Sequence, residues 1–200
     1  MSFLDNQKIV GTAFFVIGIL MVIAALLQLV DGFTLDGGIG EHAGNIIAAI
    51  GAIIAAVLYF LFGNKVRTGS ISGKLNILGS YVSIVGVTSV IIGIFGAIGA
   101  IMSSLSFWDN VIVIILGLII MFIASKIGDG KTTTADKIIW IILVIVFFLL
   151  LLGTLASLFG LSGDGLTLIL NIIVAICYAI VYLFMLCYMF DGEVKKGMGM

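Results

Sequence analysis

Charged residues are scarce in this chain, and proline is absent from it. Only 10% of its 200 residues are Asp, Glu, Lys or Arg, whereas 62% are hydrophobic, and the mean hydropathy is +1.40. Water-soluble domains carry about 25% charged residues, so this composition excludes an ordinary soluble domain and predicts an integral membrane protein. Because proline kinks often build the central sites of transporters, its absence favours straight membrane spans.

Histidine and cysteine are also rare, which removes several kinds of cofactor. The single histidine excludes the paired axial imidazoles of a membrane haem and a multi-histidine metal centre. Cys177 and Cys187 lie in one apolar run, roughly 15 Å apart along a helix, which is too far for a disulfide. The net charge of -1 provides no basic excess for nucleic acid. We therefore expect no metal, no cofactor and no nucleic-acid partner.

Six apolar runs are each long enough to cross a bilayer as a helix. A helical crossing needs about 20 apolar residues, and the runs lack the alternation with a period of two that a transmembrane β-barrel requires. The first run exceeds the signal-peptide core of about 7–15 residues, so we expect it to be a retained span. The predicted spans are about Ile9–Val30, Ala43–Phe62, Leu75–Ile101, Val111–Ile127, Ile138–Phe159 and Leu166–Phe190.

The basic residues all lie beside alternate ends of these spans. The three loops between the first and second, third and fourth, and fifth and sixth spans carry none. Lys and Arg mark the cytoplasmic side of short loops, so both termini are predicted to be cytoplasmic. The predicted fold class is an all-α polytopic membrane protein with six transmembrane helices as three consecutive helical hairpins, in the plasma (cell) membrane of a prokaryote. The basic residues are Lys8, Lys65, Arg67, Lys74, Lys126, Lys131, Lys137, Lys195 and Lys196.

The spacing of the basic residues suggests repeats within a single membrane domain, 1–200. Arg67, Lys131 and Lys195, which follow the even-numbered spans, are separated by 64 and 64 residues. Duplication of one hairpin would produce this spacing, with repeats at about 1–70, 71–133 and 134–200. The alternative hypothesis is that any evenly spaced six-span protein with its basic residues on one side shows the same pattern.

Small residues recur along several spans, often at intervals of seven. Lipid tails are as apolar as leucine, so helices in a bilayer associate through close packing and interhelical hydrogen bonds. An interval of seven keeps one line of residues facing a neighbour in a left-handed bundle. We predict helix-packing seams here, the alternative being glycines that open a pore or hinge. The predicted seam residues are Gly79, Gly86, Gly93 and Ala100 in the third span, Gly11 and Gly18 in the first, and Gly44 and Gly51 in the second.

Polar side chains within the spans are few and neutral. No Asp or Glu lies in the middle of a span, so the sequence offers no proton relay or ion-coupling carboxylate, and we predict no catalytic residue. The neutral residues could line a polar cavity, or they could bond to neighbouring helices and to their own backbone. The candidates for a polar cavity are Asn171, Tyr178 and Tyr182 on one face of the sixth span, and Ser83 and Thr88 in the third.

Taken together, these features favour a role in helix–helix association over a catalytic role. The loops are too short to fold as soluble domains, so any activity must reside in the membrane bundle. Because packing residues are abundant and reactive groups are scarce, we expect a noncatalytic membrane protein that acts through helix–helix association, as a scaffold, accessory subunit or self-assembling bundle. Its expected partners are the lipid bilayer and either another membrane protein or a second copy. The alternative is a channel or carrier for a small neutral solute.

Overall fold

The chain folds into helices connected by short segments. A computed structural model describes residues 6–34, 38–127, 129, 132–160 and 165–200, apart from the side chains of residues 31, 34 and 165–171. Six of the helices are long and apolar enough to cross a membrane, which confirms the predicted all-α fold with six such helices. The helices are α1 (Gln7–Thr34), α2 (Ile39–Arg67), α3 (Lys74–Met102), α4 (Trp108–Lys126), α5 (Thr134–Phe159), α6 (Gly165–Met189) and α7 (Gly192–Gly197).

The ends of the helices extend beyond the predicted apolar spans where polar residues complete the hydrogen bonds. At the start of α2, the side chain of Glu41 accepts a hydrogen bond from the backbone N–H of Gly38 at 3.3 Å. The short helix α7 was not predicted. It begins where the side chain of Asp191 accepts a hydrogen bond from the backbone N–H of Glu193 at 2.9 Å. An apolar run therefore marks the part of a helix inside the hydrocarbon, whereas polar caps determine where the helix begins and ends.

The six long helices pack in three hairpins that contact one another unevenly. The members of each hairpin, α1 and α2, α3 and α4, and α5 and α6, pack along each other. In addition, α2 packs along α3 and α6 packs along α1. In the part of the chain that the structure describes, α4 and α5 do not pack along each other, although they are consecutive. Whether the hairpins arose by duplication stays a prediction.

The large buried side chains gather near one end of the bundle. They come from the first part of α1, α3 and α5 and from the last part of α2 and α6, so five helices meet there. Within 148–159, all of which the structure describes, no residue of α5 is buried. Helices in a bilayer associate by side-chain packing, so this core connects the hairpins. Its main members are Val10, Phe14, Ile17, Phe62, Val66, Ile77, Leu78, Tyr81, Leu143, Phe147, Phe184, Met185 and Tyr188.

The basic residues lie at that same end of the bundle. The indole N–H of Trp140, near the start of α5, donates to the carbonyl of Met189 at the end of α6 at 2.8 Å. The ammonium of Lys74, at the start of α3, donates to Asp191, just beyond α6, at 2.6 Å. Successive helices run in opposite directions, so all the described Lys and Arg residues share one end, while Lys131 lies outside the described residues. The cytoplasmic location of this end stays a prediction.

The Lys74–Asp191 ion pair makes part of the stability depend on pH. The hydrogen bond from Lys74, followed by that from the Glu193 backbone, lowers the pKa of Asp191 below its ordinary value of 3.8. The carboxylate is therefore favoured in the folded protein, and its stabilising effect is full above about pH 4 and is lost as the pH falls through the lowered pKa. We expect Asp191→Asn to flatten the acid side of the stability profile, measured by unfolding in detergent.

A matched substitution at the other end of the bundle controls for this experiment. Asp109 lies in the first turn of α4, far along α4 from the basic end. We expect Asp109→Asn to leave the contribution of the Lys74–Asp191 pair unchanged. If Asp191→Asn kept the complete acid sensitivity of the unmodified protein, this ion pair would not be its source.

Candidate functional site

Two tyrosines lie on one face of α6, and one of them contacts α1. Tyr178 and Tyr182 are four residues apart, which places both on one face of the helix. Their rings stack with centroids 5.8 Å apart, and the hydroxyl of Tyr178 donates to the sulfur of Met21 in α1 at 3.9 Å. Asn171, the third residue predicted on this face, has its side chain outside the described residues.

Two further tyrosines, one from α2 and one from α3, join this pair. The hydroxyl of Tyr59 faces the side chain of Thr88, and the hydroxyls of Tyr81 and Tyr182 face each other. Thr88 is buried and donates a hydrogen bond to the carbonyl of Ile84 at 2.8 Å. Three helices thus bring their hydroxyl groups to one region of the bundle. We call these residues the tyrosine cluster: Tyr59, Tyr81, Thr88, Tyr178 and Tyr182.

The ring of Tyr81 lies in the middle of the aromatic core. Its centroid is 5.0 Å from that of Phe14, 6.5 Å from that of Phe62 and 6.1 Å from that of Phe147. Aromatic pairs at such distances contribute about 0.5–1.5 kcal/mol beyond the burial of their surface. The ring of Tyr81 therefore connects α3 with α1, α2 and α5. Its hydroxyl is a polar group at the edge of a packed aromatic core.

The tyrosine cluster offers hydrogen bonds and no ionised side chain. A phenol or threonine hydroxyl can both donate and accept a hydrogen bond, and a tyrosine phenol is ordinarily neutral near pH 7. Such groups can hold a neutral polar solute, or they can bond to one another and to the backbone, as Thr88 does to Ile84.

Ser83 lies apart from the tyrosine cluster, in a cavity between α2 and α3. Thr88 is five positions after Ser83, which corresponds to about 140° around a helix, so the two side chains point to different sides of α3. The cavity has a volume of about 680 Å³. We call it the α2–α3 cavity; the residues around it include Leu58, Leu61, Lys65, Asn76, Ser83 and Glu193.

The described glycines of α1 to α4 lie close to atoms of a neighbouring helix or, for Gly79, of the residue that follows α4. A Cβ added to Gly18 would be 2.5 Å from the backbone nitrogen of Phe60, and one added to Gly86 would be 2.8 Å from that of Met121. A side chain at either position would therefore push two helices apart. Of the predicted seam residues, Gly11 and Gly18 face α2, Gly44 and Gly51 face α3, Gly79, Gly86 and Gly93 face α4 or the residue after it, and Ala100 is half-buried.

The small residues near the end of α5 have no such neighbour. Nothing lies within 4 Å of a Cβ added to Gly153, whereas a Cβ added to any described glycine within α1 to α4 would be closer than that to a second helix or, for Gly79, to the residue that follows α4. Gly153 and Ser157 are four residues apart, as are Ala156 and Gly160, which is the spacing typical of close helix pairs in membranes. All four are exposed. We call them the α5 small-residue face: Gly153, Ala156, Ser157 and Gly160.

The α5 small-residue face points away from α6, the helix along which α5 packs. The half-buried residues in this stretch are Leu151, Thr154 and Leu158, whose spacing of three and four defines the side of α5 toward α6. With 3.6 residues per turn, the small residues centre about 140° from that side. The face is thus directed toward the lipid or toward another membrane-embedded helix.

Comparison with known proteins provides no relative from which a role could be transferred. No protein-family model, no curated protein and no solved structure matches the chain. Function must therefore be inferred from the geometry of these sites. Tyr59 and Tyr81 were not predicted because each is an isolated tyrosine in an apolar span. Gly153 was not predicted as a packing residue either, although Ser157 follows it at an interval of four and Gly160 at an interval of seven, which are signals in the sequence.

Proposed function

We propose that this protein is a noncatalytic integral membrane protein that acts through helix–helix association at the α5 small-residue face. One observation carries the proposal: Gly153 faces open space, while the described glycines of α1 to α4 lie against neighbouring helices or, for Gly79, against the residue that follows α4. Small residues at a spacing of four allow two helix backbones to approach closely. The same kind of residue that lies between helices elsewhere in this chain is therefore exposed here.

The attachment of α5 leaves its second half available to a partner. Its buried residues are Asp136, Ile139, Leu143 and Phe147, all in the part nearest the basic end. Beyond them, large apolar side chains are exposed, among them Leu150 at 40% and Leu152 at 46%, which lie on opposite sides of the small residues around the helix. These large side chains stand beside the small residues, so the surface between them forms a shallow groove. This arrangement suits a second transmembrane helix, which would contact the backbone at the glycines and the leucines beside them.

The partner that we propose is a second copy of this chain or another membrane protein, in the plasma membrane of a prokaryote. The proposed orientation has both termini in the cytoplasm. It is supported by the clustering of the described basic residues at one end of the bundle, because short loops rich in Lys and Arg remain on the cytoplasmic side. In that orientation, the α5 small-residue face lies in the outer half of the bilayer.

Energy transfer between labelled copies of the full chain tests the proposal. Donor and acceptor labels are attached at the C-terminus, and the protein is diluted with lipid in liposomes. We expect transfer that persists on dilution, and we expect Gly153→Leu to weaken association by roughly tenfold, because the new side chain holds the helices apart. Ala156→Leu should act in the same direction.

Two controls separate association from folding. Gly153→Leu should unfold at the same temperature as the unmodified chain, because its Cβ enters open space. Phe148→Ala, which changes a 49% exposed side chain on another side of α5, should leave energy transfer unchanged. A chain that is strictly monomeric and that copurifies with no partner dependent on Gly153 would contradict the proposal.

A second candidate function, a channel or carrier for a small neutral solute, is favoured by the tyrosine cluster. Its hydroxyls lie inside the bundle, where a polar solute would need hydrogen bonds in place of water. The ring of Tyr81, only 5% exposed among three phenylalanines, argues for a filled interior instead. We therefore place transport second.

Solute flux into proteoliposomes distinguishes the two functions. We expect purified protein to give no flux of glycerol or urea above that of empty vesicles. Tyr178→Phe and Asn171→Leu serve as matched variants, because each removes a hydrogen-bonding group from α6. A flux that depends on the protein and falls in both variants would place transport ahead of association.

A further inference from the structure

The α2–α3 cavity combines an apolar wall with a polar rim. Leu58 lies nine residues before the end of α2 and Ile84 ten residues after the start of α3. At 1.5 Å per residue, the cavity therefore reaches about 14 Å from the basic end into the bundle. Leu61, at its side, is 46% exposed, so the cavity wall is continuous with the lipid-facing surface. This depth spans the boundary between the headgroup layer and the hydrocarbon.

Two opposite charges lie at the rim of the α2–α3 cavity. Lys65 is near the end of α2, and Glu193 belongs to α7; both line the cavity and both are exposed. Neither forms an ion pair with another described residue, in contrast to Lys74 and Asp191, which pair with each other at 2.6 Å. Asn76 and Ser80 add neutral hydrogen-bonding groups to the lining. The rim thus offers one cation and one anion to a ligand that carries both charges.

We propose that the α2–α3 cavity binds a zwitterionic phospholipid whose headgroup ends in a primary amine. Lys65 contacts the phosphate, Glu193 contacts the headgroup ammonium, and an acyl chain lies along Leu58 and Leu61. Charge complementarity selects this occupant. A primary ammonium donates charge-assisted hydrogen bonds to a carboxylate, which a trimethylated choline cannot do. A lipid with net negative charge would bring its phosphate near Lys65 but would leave Glu193 without a cationic partner.

Lipid titration followed by native mass spectrometry tests this site on the full chain. The probes are dioleoyl phosphatidylethanolamine, phosphatidylcholine and phosphatidylglycerol. We expect the ethanolamine lipid to bind roughly fivefold more tightly than the other two. Glu193→Gln should remove this preference. Lys65→Gln should weaken binding of all three lipids by a similar factor, roughly fivefold, because each carries the phosphate.

Matched variants show whether these charges act at this cavity. Lys137→Gln changes an exposed lysine at the same end, and Glu41→Gln changes an exposed glutamate at the other end; neither residue lines the cavity. We expect both to bind the ethanolamine lipid as the unmodified chain does. Ser83→Leu should reduce binding of all three lipids by narrowing the cavity. Ser80→Leu serves the same purpose if Ser83→Leu does not fold.

Three results would overturn the assignment. The first is tightest binding of the glycerol lipid, which would indicate an anionic ligand. The second is equal binding of the ethanolamine and choline lipids to the unmodified chain. The third is an ethanolamine preference that survives Glu193→Gln, since another group would then recognise the amine.

Discussion

Gly86→Leu is expected to separate α4 from α3 and to lower the free energy of unfolding by about 3 kcal/mol. Besides the side chain of Met121, backbone atoms of α4 make this contact: a Cβ at Gly86 would lie 3.0 Å from the carbonyl oxygen of Gly117 and 2.8 Å from the nitrogen of Met121. Backbone atoms cannot rotate away as a flexible side chain could. Because α4 packs along α3, a displaced α4 has little else to hold it in place.

Unfolding of the variant in mixed detergent micelles, followed by the loss of helical circular dichroism, measures this effect. Gly86→Ala should be destabilised less, because only the Cβ has to be accommodated. Gly153→Leu is the matched control, since the same substitution in α5 meets nothing within 4 Å. If the Gly86→Leu and Gly153→Leu proteins were equally stable, α3 and α4 would be able to move apart without lowering the free energy of unfolding.

Tyr81→Ala is expected to lower the free energy of unfolding by about 3–5 kcal/mol, as truncation of a large buried aromatic side chain typically does. The ring is 5% exposed and contacts phenylalanines of three other helices. Its removal leaves a cavity at the point where α1, α2, α3 and α5 meet. Lipid tails cannot fill a cavity enclosed by these helices, so the lost packing is not replaced.

Tyr81→Phe separates the role of the ring from that of the hydroxyl. This variant keeps the aromatic contacts and removes the hydroxyl that faces Tyr182, so we expect a loss of free energy of unfolding of about 1 kcal/mol. Unfolding in the same micelles measures both variants. If Tyr81→Phe were as unstable as Tyr81→Ala, the hydroxyl would be the main contributor to stability. The tyrosine cluster would then be a polar network rather than the tip of an aromatic core.

The lengths of the apolar runs were sufficient to predict the six spans, because each segment must meet the demands of the bilayer by itself. A segment such as Ile138–Phe159 must satisfy its own backbone hydrogen bonds in the hydrocarbon, so its apolar length identifies it without knowledge of its neighbours. The observed α5, Thr134–Phe159, ends at the predicted residue. Its start differs because Asp136 accepts a hydrogen bond from the backbone N–H of Thr133 at 2.6 Å, a polar cap that hydropathy does not detect.

The candidate sites could be predicted only in part. Tyr178 and Tyr182 share a face by their spacing alone, which is a property of one helix. Tyr59 and Tyr81 join them only in the folded bundle, where side chains of α2 and α3 reach those of α6. Ser83 was expected near the same face but lines the α2–α3 cavity instead, because the rotation of α3 about its own axis depends on contacts with its neighbours.

Hydropathy and charge order by themselves determined that this chain is a six-helix membrane protein with its cations beside alternate span ends. Only the tertiary structure decided that Gly86 lies against α4 while Gly153 faces open space, and that Lys65 and Glu193 share one cavity. The physical reason is that burial in lipid acts on each segment separately. Which helix faces meet depends on side-chain packing among residues that are distant in sequence.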